Sequence, residues 1–352
     1  MPNFHKATGI FFLLLFSSFG CNNQIENDGK DIKISEVQID TLYTFADFET
    51  HDIAQPSDIK MMSNGTLAIA DFGQKKVSLL KQNGEIISSF GREGRGPGEF
   101  IRIQDLIEID HILNVVDSDQ SMLSRFDLEG NFINSYAFKS QGLLNQLALI
   151  QDSVYVVGTA GTDGALLAIT DLRNDSTLKF GEPKGKSLEA VDLQASLNQL
   201  RNGKIPELFK NMVTLRANDS HIFAFLNSYS ELNKYDISGN LIWNQQIDLP
   251  HNEEIFDSVV ERAKNSPSGL PALDYISNFK IFDKEVFILT QRSSSDVSQL
   301  LVKLTDDGKI ATIYSLPDYL GYLASFDLDL NNNIAYFTSS QDGVVYKGEI
   351  PF

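Results

Sequence analysis

Six polar residues could supply oxygen ligands to one site, because each stands at or just before the start of an apolar, strand-like stretch. They are Asp58, Asp105, Gln146, Asn211, Asn278 and Asp327. If the six stretches lie side by side as the inner strands of a ring, these side chains meet near one mouth of its central channel. Carboxylate and amide oxygens suit a hard cation such as Ca²⁺. The alternative is that they form hydrogen bonds between neighbouring repeats or are solvated, and we favour it because analogy of position is weak evidence for function.

The elements that would position these residues come from a repeated unit of four strands. In the first copy, residues 58–62 and 66–70 form strands separated by Ser63-Asn-Gly65, and residues 76–80 and 85–90 form two more around Gln82-Asn-Gly84. Glycine in such a hairpin tolerates a positive φ. Gly130 occupies the turn of the second copy that Gly84 occupies in the first, at a spacing that suits a four-stranded blade.

Six copies account for the chain from residue 32 to residue 352. The last copy has only three strands, whereas a strand-rich segment at residues 32–45 precedes the first. An N-terminal strand that completes the last blade would remove two open sheet edges at once. The pattern therefore predicts an all-β, six-bladed β-propeller of four-stranded antiparallel blades, closed by an N-terminal strand. We expect it to be a monomer.

Two insertions interrupt the repeat, at about residues 187–212 and 252–276. Leu193, Leu197 and Leu200 in the first, and Ile255 and Val259 in the second, have roughly helical spacing. We expect both helical insertions to lie over one face of the disc. They either form a lid or partner surface there or only cover exposed loops, and the sequence leaves both open.

The segment between the first two copies, Phe90-Gly-Arg-Glu-Gly-Arg-Gly-Pro-Gly-Glu-Phe100, is the most specific local motif. It resembles the inter-blade linker of six-bladed propellers of the NHL-repeat and TolB-like kind, as does the strand end Ile69-Ala-Asp-Phe-Gly73. Its glycines and Pro97 suit a tight crossover after which Phe100 packs between sheets. The segment lacks the Lys-Ser/Thr ending of a phosphate-binding loop and precedes a strand, so a structural linker is favoured.

Composition and motifs exclude several function classes. The net charge of −18 repels nucleic-acid phosphate, so we expect no nucleic-acid partner. His51, His111, His221 and His251 form none of the short zinc-binding spacings, and no Gly-X-Ser-X-Gly elbow is present. No catalytic residue is therefore assigned.

The single cysteine, Cys21, directly follows Gly20 after an apolar run at residues 10–16. This layout resembles the lipobox of bacterial lipoproteins, in which signal cleavage leaves a lipidated cysteine as the N-terminus. Ser18 and Phe19 depart from the preferred leucine and small residue, as in signals of Bacteroidetes-type bacteria. We predict a signal peptide over residues 1–21, lipidation of Cys21 and a flexible polar tether over residues 22–31. The alternative is a plain secreted protein with an incidental cysteine.

Two functions follow as hypotheses. The first is a non-enzymatic binding or scaffold propeller, lipid-anchored at the cell envelope, for a protein, peptide or glycan, with no cofactor. The second is a metal-dependent hydrolase or lyase with its site at the channel mouth. Likeness of fold to lactonase-type propellers, which hold a catalytic metal near the channel, implies this second function, and Ca²⁺ would be its ion.

Substituting Cys21→Ala tests the anchor. Because acylation requires the cysteine thiol, we expect the variant to leave the membrane fraction or to remain unprocessed. Cell fractionation with immunodetection measures this. A variant that fractionates and is processed like the wild type would show that the lipidation hypothesis is wrong.

Overall fold

The repeat of the sequence becomes six blades of four antiparallel strands each, and one of the six sheets gains a fifth strand at its edge. The computed structural model describes residues 34–139, 146–173, 176–292 and 297–352. Cys21, the predicted signal peptide and the predicted tether lie outside these described residues, and they stay predictions.

The strands alternate in direction within each blade, and consecutive strands pair in chain order from the inner strand outward. Two strands, β1 (Ser35–Gln38) and β2 (Tyr43–Ala46), precede the blades. The blade strands, in order, are β3 (Pro56–Met61), β4 (Leu67–Asp71), β5 (Lys76–Leu80), β6 (Ile86–Phe90); β7 (Ile103–Ile109), β8 (Ile112–Asp117), β9 (Met122–Phe126), β10 (Phe132–Ala137); β11 (Leu147–Gln151), β12 (Val154–Gly158), β13 (Leu167–Asp171), β14 (Ser176–Phe180); β15 (Val213–Ala217), β16 (His221–Leu226), β17 (Glu231–Asp236), β18 (Leu241–Gln246); β19 (Ile276–Phe282), β20 (Glu285–Thr290), β21 (Leu300–Leu304), β22 (Ile310–Ser315); β23 (Ser325–Asp329), β24 (Ile334–Ser339) and β25 (Val344–Glu349).

Burial within each blade explains why these segments form strands. The middle strands are buried on both faces, as in β4, where all five residues from Leu67 to Asp71 are buried. Outer strands such as β6 and β10 are mostly exposed or half-buried. Gly84 and Gly130 turn the third strand into the fourth at φ values of 91° and 90°, a region in which a side chain would be strained.

Closure of the ring confirms the predicted role of the N-terminal segment. Strand β2 pairs antiparallel with β25, so the last blade has the order β2-β25-β24-β23. Strand β1, which the sequence does not distinguish from β2, instead pairs parallel with β22 and makes the fifth blade five-stranded. The inner strands contact one another in sequence around the ring, from β3 through β7, β11, β15, β19 and β23 back to β3.

The linker between the first two blades has the packing that its glycines suggest. Phe100 is fully buried in an apolar cluster drawn from both blades. A Cβ at Gly91 would lie 2.5 Å from the Phe100 ring, so glycine is required for this approach. Arg92 pairs with Glu99 inside the same segment, and Glu99 also accepts the N–H of Gly96. The segment thus uses its own charges to hold its shape.

Helices occupy the two insertions. They are α2 (Leu193–Arg201), between the third and fourth blades, and α3 (Asn252–Asn265), between the fourth and fifth; a single turn, α1 (Phe48–His51), precedes the first blade. In the part of the chain that the structure describes, three short 3₁₀ turns lie at Thr162–Gly164, Leu188–Ala190 and Glu207–Phe209. Within the described residues, no helix is both long and apolar enough to cross a membrane.

Both insertions run from an outer strand to the next inner strand, so they lie on the same face of the disc, as predicted. Leu197 and Leu200 of α2 share an apolar cluster with Ile255 and Val259 of α3. The Arg201 guanidinium donates to the carbonyl oxygens of Ala263 and Ser266, at 3.0 and 2.6 Å, and so satisfies the end of α3. We name the surface formed by these two helices and the loops that enter the inner strands the helical face.

The closing strand offers a matched pair of substitutions. Ala46 is fully buried between the first and last blades, whereas Tyr43 on the same strand is 53% exposed. We expect Ala46→Asp to lower the free energy of unfolding by about 3 kcal/mol or more, because it buries an unpaired carboxylate. Tyr43→Asp should change it by less than about 1 kcal/mol. Urea unfolding followed by circular dichroism measures both, and equal losses would contradict the closing role of the strand.

Candidate functional site

Two layers of side chains line the centre of the ring. The first layer is defined by strand register: in five blades, its residue pairs with the penultimate residue of the neighbouring strand in the same blade. Asp58 pairs in this way with Ala70, and Asp105 pairs with Val116. The first layer is Asp58, Asp105, Gln146, Thr214, Asn278 and Ser325. The second layer lies two residues further along each inner strand, on the same face of the strand. It consists of Lys60, Ile107, Ala148, Arg216, Lys280 and Asp327.

Asp58 is the most connected first-layer residue. Its Oδ2 accepts the backbone N–H of Leu106 in the next blade at 2.8 Å. Its Oδ1 accepts from Lys280 Nζ at 3.0 Å and from Ser325 Oγ at 2.5 Å. The side chain is 1% exposed, so these partners replace the water that an ionised carboxylate requires.

Arg216 crosses the channel and binds the second carboxylate. Its Nη1 lies 2.7 Å from Asp105 Oδ2, and its Nη2 donates to Asn278 Oδ1 at 2.6 Å. Asn278 Nδ2 in turn donates to Ser325 Oγ at 2.9 Å, which completes a path to Asp58. Side chains of the first, second, fourth, fifth and sixth blades therefore form one buried network.

The two carboxyl groups titrate as a pair, because each changes the pKa of the other. Burial works against ionisation of Asp58, but Lys280 and the Ser325 hydroxyl outweigh it and hold its pKa below the usual range. Burial, opposed by Arg216 and reinforced by the charge of Asp58, raises the pKa of Asp105 to about 7. The pair therefore shares one proton near neutral pH.

Asp327 belongs to the second layer, one step deeper than the position at the channel mouth that the sequence pattern predicts for it. Its Oδ2 accepts the N–H of Met61 at 2.5 Å and lies 3.5 Å from Lys60 Nζ. The Asp327 carboxylate is the main cause of the raised pKa of Lys60. Its Oδ1 is buried without a hydrogen-bond partner among the described residues.

Gln146 joins the ring, whereas Asn211 does not. Gln146 Oε1 accepts the N–H of Leu215 in the following blade at 3.1 Å. Asn211 precedes its inner strand, where it accepts the N–H of Lys184 and donates to the carbonyl of Lys186. The predicted position of Asn211 at the channel is corrected to Thr214, because a 3₁₀ turn at Glu207–Phe209 shifts the start of the strand.

The chemistry available to this set is proton sharing and charge pairing. The Asp58 and Asp105 oxygens are already engaged by Lys280, Arg216 and backbone N–H groups. Three cationic side chains among the same strands would also oppose a divalent cation. Within the described ranges, no group of three or more His, Cys, Asp and Glu side chains is arranged to hold a metal ion.

Sequence reasoning missed the cations and the hydroxyls of the two layers. A signal for them is present: polar residues two apart within an apolar strand, such as Asp58 and Lys60 or Asn278 and Lys280. Period two places both on one face of a strand. Charge in a buried strand then indicates a partner across the ring.

Comparisons with known proteins agree on the fold. Residues 22–150 match a protein family described as a six-bladed β-propeller. A Bacteroides fragilis protein described as exported is 12% identical with a TM-score of 0.51, over 90% of this chain and 98% of its own. Virginiamycin B lyase from Staphylococcus aureus is 10% identical with a TM-score of 0.46, over 89% of each chain. No curated protein matches the sequence. The family match and the likeness to the Bacteroides fragilis protein support the propeller fold and nothing finer.

The shared proton predicts a pH effect on stability. Because the folded state raises the pKa of Asp105 to about 7, it holds a proton that the unfolded chain has lost above about pH 4. The free energy of unfolding of the wild type should therefore fall, relative to Asp105→Asn, as pH rises through this window. The slope of the difference should not exceed about 1.4 kcal/mol per pH unit. Urea unfolding at several pH values measures it, with Asp257→Asn at an exposed position of α3 as the control. A difference that is flat with pH would contradict the shared proton.

Proposed function

We propose that this chain is a bacterial lipoprotein of the NHL-repeat and TolB-like kind, held at the cell envelope by lipid on Cys21. In this proposal the propeller is a non-enzymatic binding or scaffold module for a protein, peptide or glycan. The six-bladed fold and the likeness to an exported Bacteroides protein agree with this proposal.

One observation carries the binding role: neighbouring side chains and backbone N–H groups already engage the two first-layer carboxylates of the channel. Asp58 and Asp105 use their oxygens on Lys280, Arg216 and the N–H of Leu106. Such groups fix the relative positions of blades and leave few free lone pairs for a substrate. The channel therefore acts as the structural centre of the disc, and binding falls to its faces.

The helical face is the better candidate for that binding. It carries two insertions that the propeller repeat does not require, and loops on a rigid scaffold are the usual place for function. Leu193 at the start of α2 is 65% exposed, the highest exposure among the large apolar side chains of the described residues. A partner that covers this face would remove it from water.

The alternative, a metal-dependent hydrolase or lyase, requires a divalent ion on Asp58, Asp105 or Asp327. Its strongest support is the shared proton of Asp58 and Asp105, because a carboxyl group with a pKa near 7 suits acid–base catalysis. Binding of a divalent ion there requires that Lys280 and Arg216 be displaced from the carboxylates with which they pair. We therefore place it second.

In-cell photocrosslinking tests the binding role. Replacing Leu193 with p-benzoylphenylalanine puts the probe on the helical face, and replacing the exposed Leu178 puts it on the outer strand β14. We expect discrete crosslinked products in the envelope fraction from position 193 and none from position 178. Equal labelling at both positions, or no product at either, would contradict a binding surface on this face.

Metal analysis and a thermal-shift titration with Ca²⁺ on the purified domain test the alternative. We expect no stoichiometric metal and no shift in the unfolding temperature. A bound ion that is lost in both Asp58→Asn and Asp327→Asn would instead favour the enzyme.

A further inference from the structure

A cavity of about 370 Å³ opens on the helical face, beside the channel mouth. Four segments form it: α3, the approach to β19, the end of β20 and the approach to β23. Its charged lining consists of Asp274, Arg262 and Arg292, and its apolar lining includes Ile255, Val259 and the ring of Tyr322. This size lies at the lower end of the range for small-molecule sites.

Asp274 gives the cavity an acidic wall. Its Oδ1 accepts from Asn227 Nδ2 at 2.8 Å, and Asn227 Oδ1 accepts from the first-layer residue Thr214. Burial raises the pKa of Asp274, with only the Asn227 hydrogen bond opposing it. No Lys, Arg or His among the described residues forms an ion pair with it.

Arginines give the cavity a cationic wall. Arg292 is fixed in place, because its Nε donates to the carbonyl of Val297 at 2.8 Å and its Nη1 to that of Leu320 at 3.2 Å. Arg262, in the last turn of α3, is exposed to the cavity and makes no ion pair with an acidic side chain of the described ranges. Asp274 and Arg262 thus line one cavity without forming an ion pair with each other.

We infer that this cavity binds a small zwitterion, an amino acid or short peptide with a free amine and a free carboxylate. Asp274 receives the ammonium group, which supplies the cation that the half-buried carboxylate lacks. Arg262 receives the carboxylate, for which a guanidinium offers two parallel donors. The partly exposed ring of Tyr322 packs against an apolar side chain of the ligand. This inference rests on the proposed binding role and narrows its ligand class.

Leucyl-leucine is the probe, and isothermal titration calorimetry on the purified propeller is the measurement. We expect binding to the wild type, weakened about tenfold or more by Asp274→Asn and by Arg262→Gln, because each loses a charge-assisted contact. The matched controls are Asp257→Asn on α3 and Arg95→Gln on the linker between the first two blades. Both variants should bind leucyl-leucine like the wild type. Thermal unfolding of each variant separates loss of binding from loss of fold.

Modified probes assign each end of the ligand. N-acetyl-leucyl-leucine should bind weakly, and Asp274→Asn should weaken it no further, because the ammonium group is already gone. Leucyl-leucine amide, which lacks the free carboxylate, should also bind weakly, and Arg262→Gln should weaken its binding no further. Free leucine, compared with leucyl-leucine, shows whether the site takes an amino acid or a peptide.

Two results would overturn the inference: no binding of leucine or leucyl-leucine to a folded wild type, or equal affinity of the wild type, Asp274→Asn and Arg262→Gln. Neither result would affect the photocrosslinking test of the helical face. Proton NMR of leucyl-leucine after overnight incubation with the protein tests the proposed non-enzymatic role separately. Cleavage of the dipeptide by the wild type would contradict a non-enzymatic role even if the cavity binds it.

Discussion

A sheet edge that is left unpaired invites the wrong partner, and a ring of six sheets is secure only if its last blade is tied to its first. Strand β2 provides the tie, because it belongs in sequence to the entry of the first blade and in space to the outer edge of the last. Ala46 on that strand packs with Ile53 and Ile59 of the first blade and Val345 of the last. The contacts between neighbouring inner strands follow from this closure.

The charges at the centre depend on the same closure. Asp58, Asp105 and Asp327 face Lys60, Arg216 and Lys280, so each acidic side chain of the two layers has a basic partner. Desolvating these groups costs several kcal/mol each, and the cost is recovered only when every partner is in place. A ring with the wrong number of blades, or with one blade rotated, would leave charges buried and unpaired. The centre therefore favours one arrangement of blades over others.

The sequence predicts the architecture well because the propeller repeat is local. Turn glycines such as Gly84, strand alternation and the spare N-terminal segment suffice for six blades, the closure and the two helical insertions. It predicts the channel less well, because partners such as Arg216 and Asp105 are distant in the chain and meet only through the ring. Asn211 shows the limit at a blade entry, where one 3₁₀ turn moves the register by three residues. The cavity beside α3 draws on four separate segments, and no local pattern marks it.

Strand β1 has a mechanical consequence. It pairs with β22 of the fifth blade before the chain reaches β2, and β2 closes the sixth. Any pull on the chain from its N-terminal side is therefore carried first by the β1–β22 hydrogen bonds, and it reaches the closing strand only after these have broken. The four residue pairs between β1 and β22 must therefore separate before an applied force can open the ring of blades. In a domain tethered at its N-terminal end, β1 would protect the closing strand β2 from force applied through the tether.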